Sequence, residues 1–119
     1  MKYMSWVLST DEWGTPPQAL MDAIDAAVKE RSASGKMIDA GGLSTLRDGG
    51  AKITLQGGAI VDGPYSEAKE LIGGYSIEYY DTLEDARAGA REFLELHRQH
   101  WPEWEGHVEI RQMYGPEDF

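Results

Sequence analysis

The fold of this chain depends on residues 75–85, YSIEYYDTLED, where one periodicity replaces another. Residues 75–80 alternate between apolar and polar side chains, which predicts a β-strand. Thr82 comes next, with Asp85 three positions later, in the pattern of a helix N-terminal cap. Helical spacing then places one set of side chains on a single face: Leu83, Ala86, Ala90, Phe93, Leu94 and His97. The stretch therefore predicts a strand that leads directly into an amphipathic helix.

The first part of the chain repeats this order of elements. Residues 2–9 are apolar and aromatic and predict a strand. We expect a helix over residues 16–34, because Thr15 can cap it and prolines are tolerated in a first helical turn. Gly35 is a natural residue to end that helix, and residues 37–43 predict the next strand.

Between the two halves lies a predicted hairpin. Residues 51–56 and 59–62 both favour strands, and Gly57-Gly58 between them is a two-residue turn signal. Residues 107–113 alternate and predict a closing strand. Two strand-helix-strand halves with an inserted hairpin indicate an α+β, ferredoxin-like βαβ-ββ-βαβ fold, in which two helices cover one face of an antiparallel sheet. We expect one domain over residues 1–119.

The opposite face of such a sheet would be left bare. We expect Tyr3, Trp6, Ile53 and Tyr79 to contribute apolar surface there, which is costly to leave in water. Two subunits that pack these faces together would bury roughly 1,200–2,000 Å² of surface. The sequence therefore predicts a homodimer.

The composition argues against several classes of partner. The formal net charge is −10, and residues 61–119 carry most of it, with five Lys or Arg against fourteen Asp or Glu. Such a field repels phosphate backbones and anionic lipids, so we expect no nucleic-acid or membrane partner. No apolar run approaches the ~18 residues of a membrane-spanning helix. The chain has no cysteine and no recognisable secretion signal, which fits a cytoplasmic location.

Residues 62–70, DGPYSEAKE, form the most specific motif of the chain. Pro64 fixes its own φ and Gly63 permits unusual backbone paths, so this turn could aim Tyr65 and Glu67 at a fixed place. A carboxylate held in a cleft could act as a general base, whereas Asp62 could instead stabilise the turn. The candidate ligand-binding residues are Asp62, Gly63, Pro64, Tyr65, Glu67 and Lys69.

This motif, followed by Gly73-Gly74-Tyr75, resembles the signature of the DGPF branch of the YCII-related family. The resemblance extends to KYM at residues 2–4, AGGL at 40–43, DTLEDA at 81–86 and HVEIRQM at 107–113. It implies a small bacterial protein that forms a dimeric α+β barrel of ferredoxin-like subunits, with a ligand cleft near the motif. Tyr65 stands where the family more often has phenylalanine. Some relatives use a histidine-aspartate pair, but residues 16–34 contain no histidine, so the pair does not carry over.

Other side chains are weaker candidates. Asp39 lies within an apolar strand and either faces solvent or lines a polar pocket; with Asp62 and Glu67 it is a candidate catalytic carboxylate. Asp11 and Glu12 follow the first strand, where solvation is the simpler interpretation. His97 and His100 could share a metal with Glu103 or Glu105, although a helix C-terminus favours histidines in any case, and we predict no metal or cofactor. Trp101 and Trp104 either pack over the helix end or line a pocket.

Two functions fit these observations. The first is a small-molecule-binding protein or acid-base enzyme, with its cleft near residues 62–69 and Asp39 close by. The second is a non-catalytic dimeric module that binds or regulates a protein partner. The first predicts a concave apolar pocket that contains a carboxylate with a shifted pKa. The second predicts a shallow cleft and an exposed apolar patch outside the dimer interface.

Overall fold

The computed structural model describes residues 1–9, 14–46, 48–65 and 71–118. The strands and helices alternate along the chain much as the periodicities predict. Their bounds are β1 Lys2–Ser9, α1 Gln18–Ala33, β2 Met37–Gly42, β3 Ile53–Gln56, β4 Ala59–Asp62, β5 Leu71–Tyr79, α2 Leu83–His100 and β6 His107–Gln112, followed by a 3₁₀ turn, Pro116–Asp118.

Four strands form an antiparallel sheet in the order β2-β5-β1-β6. Each helix connects two strands that are separated in the sheet by one other strand, which is the split βαβ arrangement. Arg31 of α1 forms ion pairs with Glu78 of β5 and with Glu92 of α2, so both helices lie on the same face of the sheet. The α+β class is confirmed, and the arrangement is compatible with a ferredoxin-like sandwich.

The strand register shows which side chains lie under the helices. Tyr3 is directly opposite Glu78, is only 3% exposed, and meets the Tyr80 ring edge-on at 6.2 Å. Trp6 and Tyr79 lie on the opposite, open face, where the Arg111 guanidinium sits 5.4 Å from the Trp6 ring centre. The expectation that Tyr3 faces outward is therefore wrong, because the alternation of β1 puts it on the same side as Glu78.

The predicted hairpin is confirmed, but it stands apart from the sheet. β3 and β4 pair only with each other among the described strands, and Gly57 and Gly58 take φ of 58° and 81° in the turn. Ile53 lies on this arm and is 65% exposed, so its assignment to the bare sheet face is also wrong. The Cα radius of gyration is 16.3 Å, against about 13.5 Å for a compact chain of this length. The arm therefore extends the molecule.

The starts of several elements differ from the sequence predictions, and β3 begins at Ile53, two residues later than expected. α1 begins at Gln18, and no side chain caps it, so the Thr15 cap is wrong; Pro17 stays extended at ψ 144° and delays the first turn. β5 begins at Leu71, four residues before the predicted start. Its glycine pair is accommodated opposite an irregularity between Val7 and Leu8 in β1.

The cap of α2 is confirmed. The Thr82 hydroxyl accepts a hydrogen bond from the Asp85 backbone N–H at 3.1 Å. Glu84 and Asp85 place negative charge at the N-terminal end of this helix, where its dipole favours it. Within the described residues, neither helix is long and apolar enough to cross a membrane.

Candidate functional site

A cavity of about 450 Å³ lies between the two helices and the covered face of the sheet. Its walls are mostly apolar, with Leu20 and Ile24 from α1, Val7 from β1 and Phe93 from α2. Polar groups of the lining lie around Glu78, and aromatic rings of the lining lie near the C-terminal end of α2. A cavity of this size with few polar groups is typical of small-molecule sites.

The polar wall is built around Glu78, which is only 6% exposed. Its Oε2 accepts hydrogen bonds from the Tyr80 hydroxyl at 2.6 Å and from Arg31 Nη1 at 3.3 Å. Its Oε1 accepts from the Ser76 hydroxyl at 3.1 Å and from the same Nη1 at 3.5 Å. Since a buried carboxylate is tolerated only when it is paired and hydrogen-bonded, these three partners explain why Glu78 can lie here.

Arg31 connects this wall to the molecular surface. Its Nη2 donates to Glu92 Oε2 at 2.7 Å, so one guanidinium joins α1, β5 and α2. Burial lowers the pKa of Arg31, but the nearby charges of Glu78 and Glu92 outweigh it, and the net pKa is raised. Arg31 therefore carries a positive charge at neutral pH.

Tyr80 is held as a neutral hydrogen-bond donor. Burial raises the pKa of its hydroxyl most strongly, and donation to Glu78 raises it further, well above its ordinary value. Its ring lies against α2 at Gly89, where a Cβ atom would come within 3.0 Å of the Tyr80 Cζ and closer still to its oxygen. Gly89 therefore gives this ring its space.

Replacing Gly89 with alanine tests that packing. In an exposed helix the change stabilises by about 1 kcal/mol, because glycine is a poor helix former. Here we expect the opposite sign, a loss of about 1–3 kcal/mol in the free energy of unfolding, because the new methyl group overlaps the Tyr80 hydroxyl. Urea denaturation measures the difference. A stabilised variant would show that Tyr80 does not occupy this position.

Aromatic rings form the opposite end of the cavity. Trp101 is buried and its ring stacks on Trp104 at 6.5 Å, so these tryptophans both pack over the helix end and line the cavity. His97 is buried beside them, with its ring 4.4 Å from that of Trp104. In the described part of the chain, no three His, Asp or Glu side chains are placed to hold a metal ion.

The residues of the DGPY turn lie elsewhere, at the base of the hairpin arm. The Tyr65 hydroxyl donates to Asp62 Oδ1 at 2.6 Å and accepts from the Lys52 N–H at 2.9 Å. Gly63 has φ 98°, its N–H donates to the Lys52 carbonyl at 2.6 Å, and the Gly63-Pro64 peptide is cis. Donation to Asp62 raises the pKa of Tyr65, against a smaller opposing effect of the Lys52 N–H. In the described residues the turn is therefore closed by its own contacts.

Asp39 lies on the open face of the sheet, at the edge strand β2. Its Oδ2 accepts from the Tyr75 hydroxyl at 2.9 Å and its Oδ1 accepts from the Ala40 N–H at 2.9 Å. The Tyr75 ring lies over Gly41, where a Cβ atom would meet it at 3.2 Å. The hydrogen bond to Asp39 raises the pKa of Tyr75. Of the two alternatives for Asp39, the exposed position is the one observed.

None of the described motif residues lines the cavity, and neither does Asp39. Glu67 and Lys69 lie outside the described residues, as do Asp11 and Glu12, so a cleft beside residues 66–70 stays a prediction. The sequence reasoning missed Glu78 and Arg31. A signal was present, because Arg31 continues the apolar stripe of Ile24, Ala27 and Val28 at helical spacing, where a charge requires a buried partner.

The comparisons with known proteins leave the family open. No protein-family model matches this chain, and no curated protein matches it either.

Proposed function

We propose that this protein binds a small molecule in the cavity between its helices and its sheet, with acid-base chemistry on that molecule as the accompanying activity. The observation that carries the proposal is the buried Glu78 carboxylate, held by Arg31, Tyr80 and Ser76 in the wall of a mostly apolar cavity. A buried charge that needs three partners stabilises a fold poorly, and a few convergent polar groups in a mostly apolar cavity are typical of a ligand site.

The arrangement supports proton chemistry in a specific way. The hydroxyl proton of Tyr80 lies in the hydrogen bond to Glu78 Oε2, whose two oxygen atoms are 2.6 Å apart. A ligand with a hydroxyl or amide group could replace Tyr80 as the donor to Glu78, while the freed Tyr80 hydroxyl donates to a ligand oxygen. During such an exchange, the positive charge of Arg31 continues to balance the negative charge of Glu78.

A thermal-shift screen of small neutral metabolites tests the binding proposal. Ala90 lines the cavity, whereas Ala88 on the same helix is exposed and outside it. We expect some of these compounds to raise the melting temperature of both the wild type and Ala88→Leu, because a ligand that binds the folded state stabilises it by mass action. In Ala90→Leu the added side chain fills the cavity, so the shift should be lost.

A third variant, Glu67→Ala, tests whether the ligand site also includes the motif at residues 62–70. Retention of the shift in this variant places the ligand in the cavity alone, and its loss extends the site to residues 62–70. An equal shift in Ala88→Leu and Ala90→Leu would contradict binding in the cavity.

We further propose that two subunits pack through the open sheet face, as the resemblance to the YCII-related family implies. Met4, Trp6 and Ile77 share this face in register, and Tyr79 beside them is 49% exposed. The molecule is only 21 Å thick in its shortest dimension, so no second layer formed by the described residues covers this face. Family membership and a cytoplasmic location are further parts of this proposal.

Trp6→Glu is expected to weaken the dimer about 30-fold or more, because a central interface tryptophan typically contributes about 2 kcal/mol or more. Sedimentation equilibrium over a concentration series measures the dissociation constant. Leu55→Glu, on the exposed hairpin arm, is the matched control and should leave the constant unchanged. The reverse pattern would place the contact on the arm.

The arm also favours a second candidate function, a non-catalytic interaction module. Ile53, Leu55 and Ile60 are each at least 65% exposed on this hairpin, and such a patch is typical of protein-binding surfaces. If no small molecule shifts the melting temperature while a partner binds the wild type but not Leu55→Glu, this second function replaces the first.

A further inference from the structure

His97 is a buried titratable residue that lines the cavity, and among the described residues it makes no hydrogen bond with Glu78 or its partners. It is 7% exposed and lines the cavity from the last turns of α2. Its ring centre lies 4.7 Å from that of Phe93 and 4.4 Å from that of Trp104. These two contacts hold the imidazole in one orientation.

A hydrogen bond decides which ring nitrogen carries the proton. Nδ1 lies 3.1 Å from the Phe93 carbonyl oxygen, and a carbonyl oxygen can only accept. Nδ1 is therefore the donor, and Nε2 of the neutral ring carries a lone pair. Burial lowers the pKa of His97 and the hydrogen bond to Phe93 opposes this only in part, so the ring is neutral at neutral pH.

The lone pair of Nε2 has no partner within the described residues. The contacts of His97 there are the Phe93 carbonyl and the two neighbouring rings. Since Nδ1 is turned toward its own helix, Nε2 points away from that backbone. A buried acceptor without a partner costs free energy. A ligand donor that reaches Nε2 from the cavity would supply the missing hydrogen bond.

The charges around the cavity argue against an anionic ligand. Within the described lining, the charged side chains are Arg31, Glu78 and Asp25. Arg31 is already shared between Glu78 and Glu92, so no spare cation is available for an anionic ligand. An uncompensated charge in such a site is costly.

We propose that Nε2 of His97 accepts a hydrogen bond from a small, neutral, planar ligand that carries a hydroxyl or N–H donor, with the ligand ring packed among Phe93 and Trp104. This inference rests on the proposed small-molecule function and names the ligand chemistry of the same cavity. Phe93 and Trp104 both line the cavity, and aromatic rings favour contact with a planar ligand, while the lone pair of Nε2 selects the donor.

Phenol and toluene are suitable probes, because they share a shape and differ only in the donor. NMR titration of the wild type and of His97→Phe gives four dissociation constants. We expect His97→Phe to weaken the binding of phenol relative to that of toluene by about 10-fold or more, because the buried phenol hydroxyl would be left without a partner. On the wild type alone, ¹⁵N NMR should show the Nδ1–H form of His97 and a shift of Nε2 with phenol but not with toluene.

The outcomes separate the two proposals. If both probes bind equally well to the wild type and to the variant, with no Nε2 shift, the role of His97 is overturned and the cavity remains a binding site. An Nε2–H form of His97 also overturns it. If neither probe enters the wild-type protein, the inference and the small-molecule function fall together. Should His97→Phe not fold, the ¹⁵N measurement on the wild type decides alone.

Discussion

Arg31→Met should lower the free energy of unfolding by about 3–5 kcal/mol, because it leaves the buried Glu78 carboxylate without its counter-charge. Methionine keeps an unbranched stem of similar reach, so the loss reports the charge more than the packing. Urea denaturation at one fixed protein concentration measures the change, since any association would otherwise shift the result.

The same guanidinium supplies the control. Glu92 also pairs with Arg31, but its side chain is 74% exposed, and Glu92→Gln should cost less than about 1 kcal/mol. The double variant Arg31→Met/Glu78→Leu should recover most of the loss, since an apolar pair can replace a buried ion pair. If Arg31→Met costs no more than Glu92→Gln, Glu78 is not buried as described.

Leu20→Ala should cost about 2–5 kcal/mol in the free energy of unfolding. Leu20 is only 1% exposed and forms part of the cavity wall, so its removal enlarges a space that is already open. The cost of such a change depends on how far the surroundings can collapse, and here few side chains are free to fill the gap.

Met21 is the matched control for this prediction. It follows Leu20 on the same helix but is 39% exposed, so Met21→Ala should change the stability by less than about 1 kcal/mol. Comparable losses for the two variants would mean that α1 presents a different face to the sheet.

Local signals predicted much of the architecture. The strand over residues 75–80 and the Thr82 cap follow from neighbouring side chains. The observed strand starts four residues earlier and ends one residue earlier than predicted, and the cap is at Thr82 as predicted. The turn at Gly57-Gly58 depends on a local signal in the same way, and it is also confirmed. The Thr15 cap failed because two consecutive prolines delay the helix, a competition between two local rules.

The candidate site depends on contacts that no local pattern contains. Arg31 and Glu78 are 47 positions apart, and they meet only because α1 crosses the sheet face on which Glu78 points inward. A charge on the apolar face of an amphipathic element indicates a buried partner without naming it. The motif at residues 62–65, which the sequence favoured, instead forms contacts within its turn and with Lys52 at the start of the hairpin.

Local patterns in the sequence were enough to predict the succession of strands and helices and the hairpin between them, because periodicity, caps and turns act over a few residues. Long-range packing was needed to show that Tyr3 faces the helices, that the hairpin leaves the sheet, and that Glu78, Arg31 and Tyr80 share one cavity wall. Strand register sets these outcomes, since a shift by one residue turns every side chain to the other face.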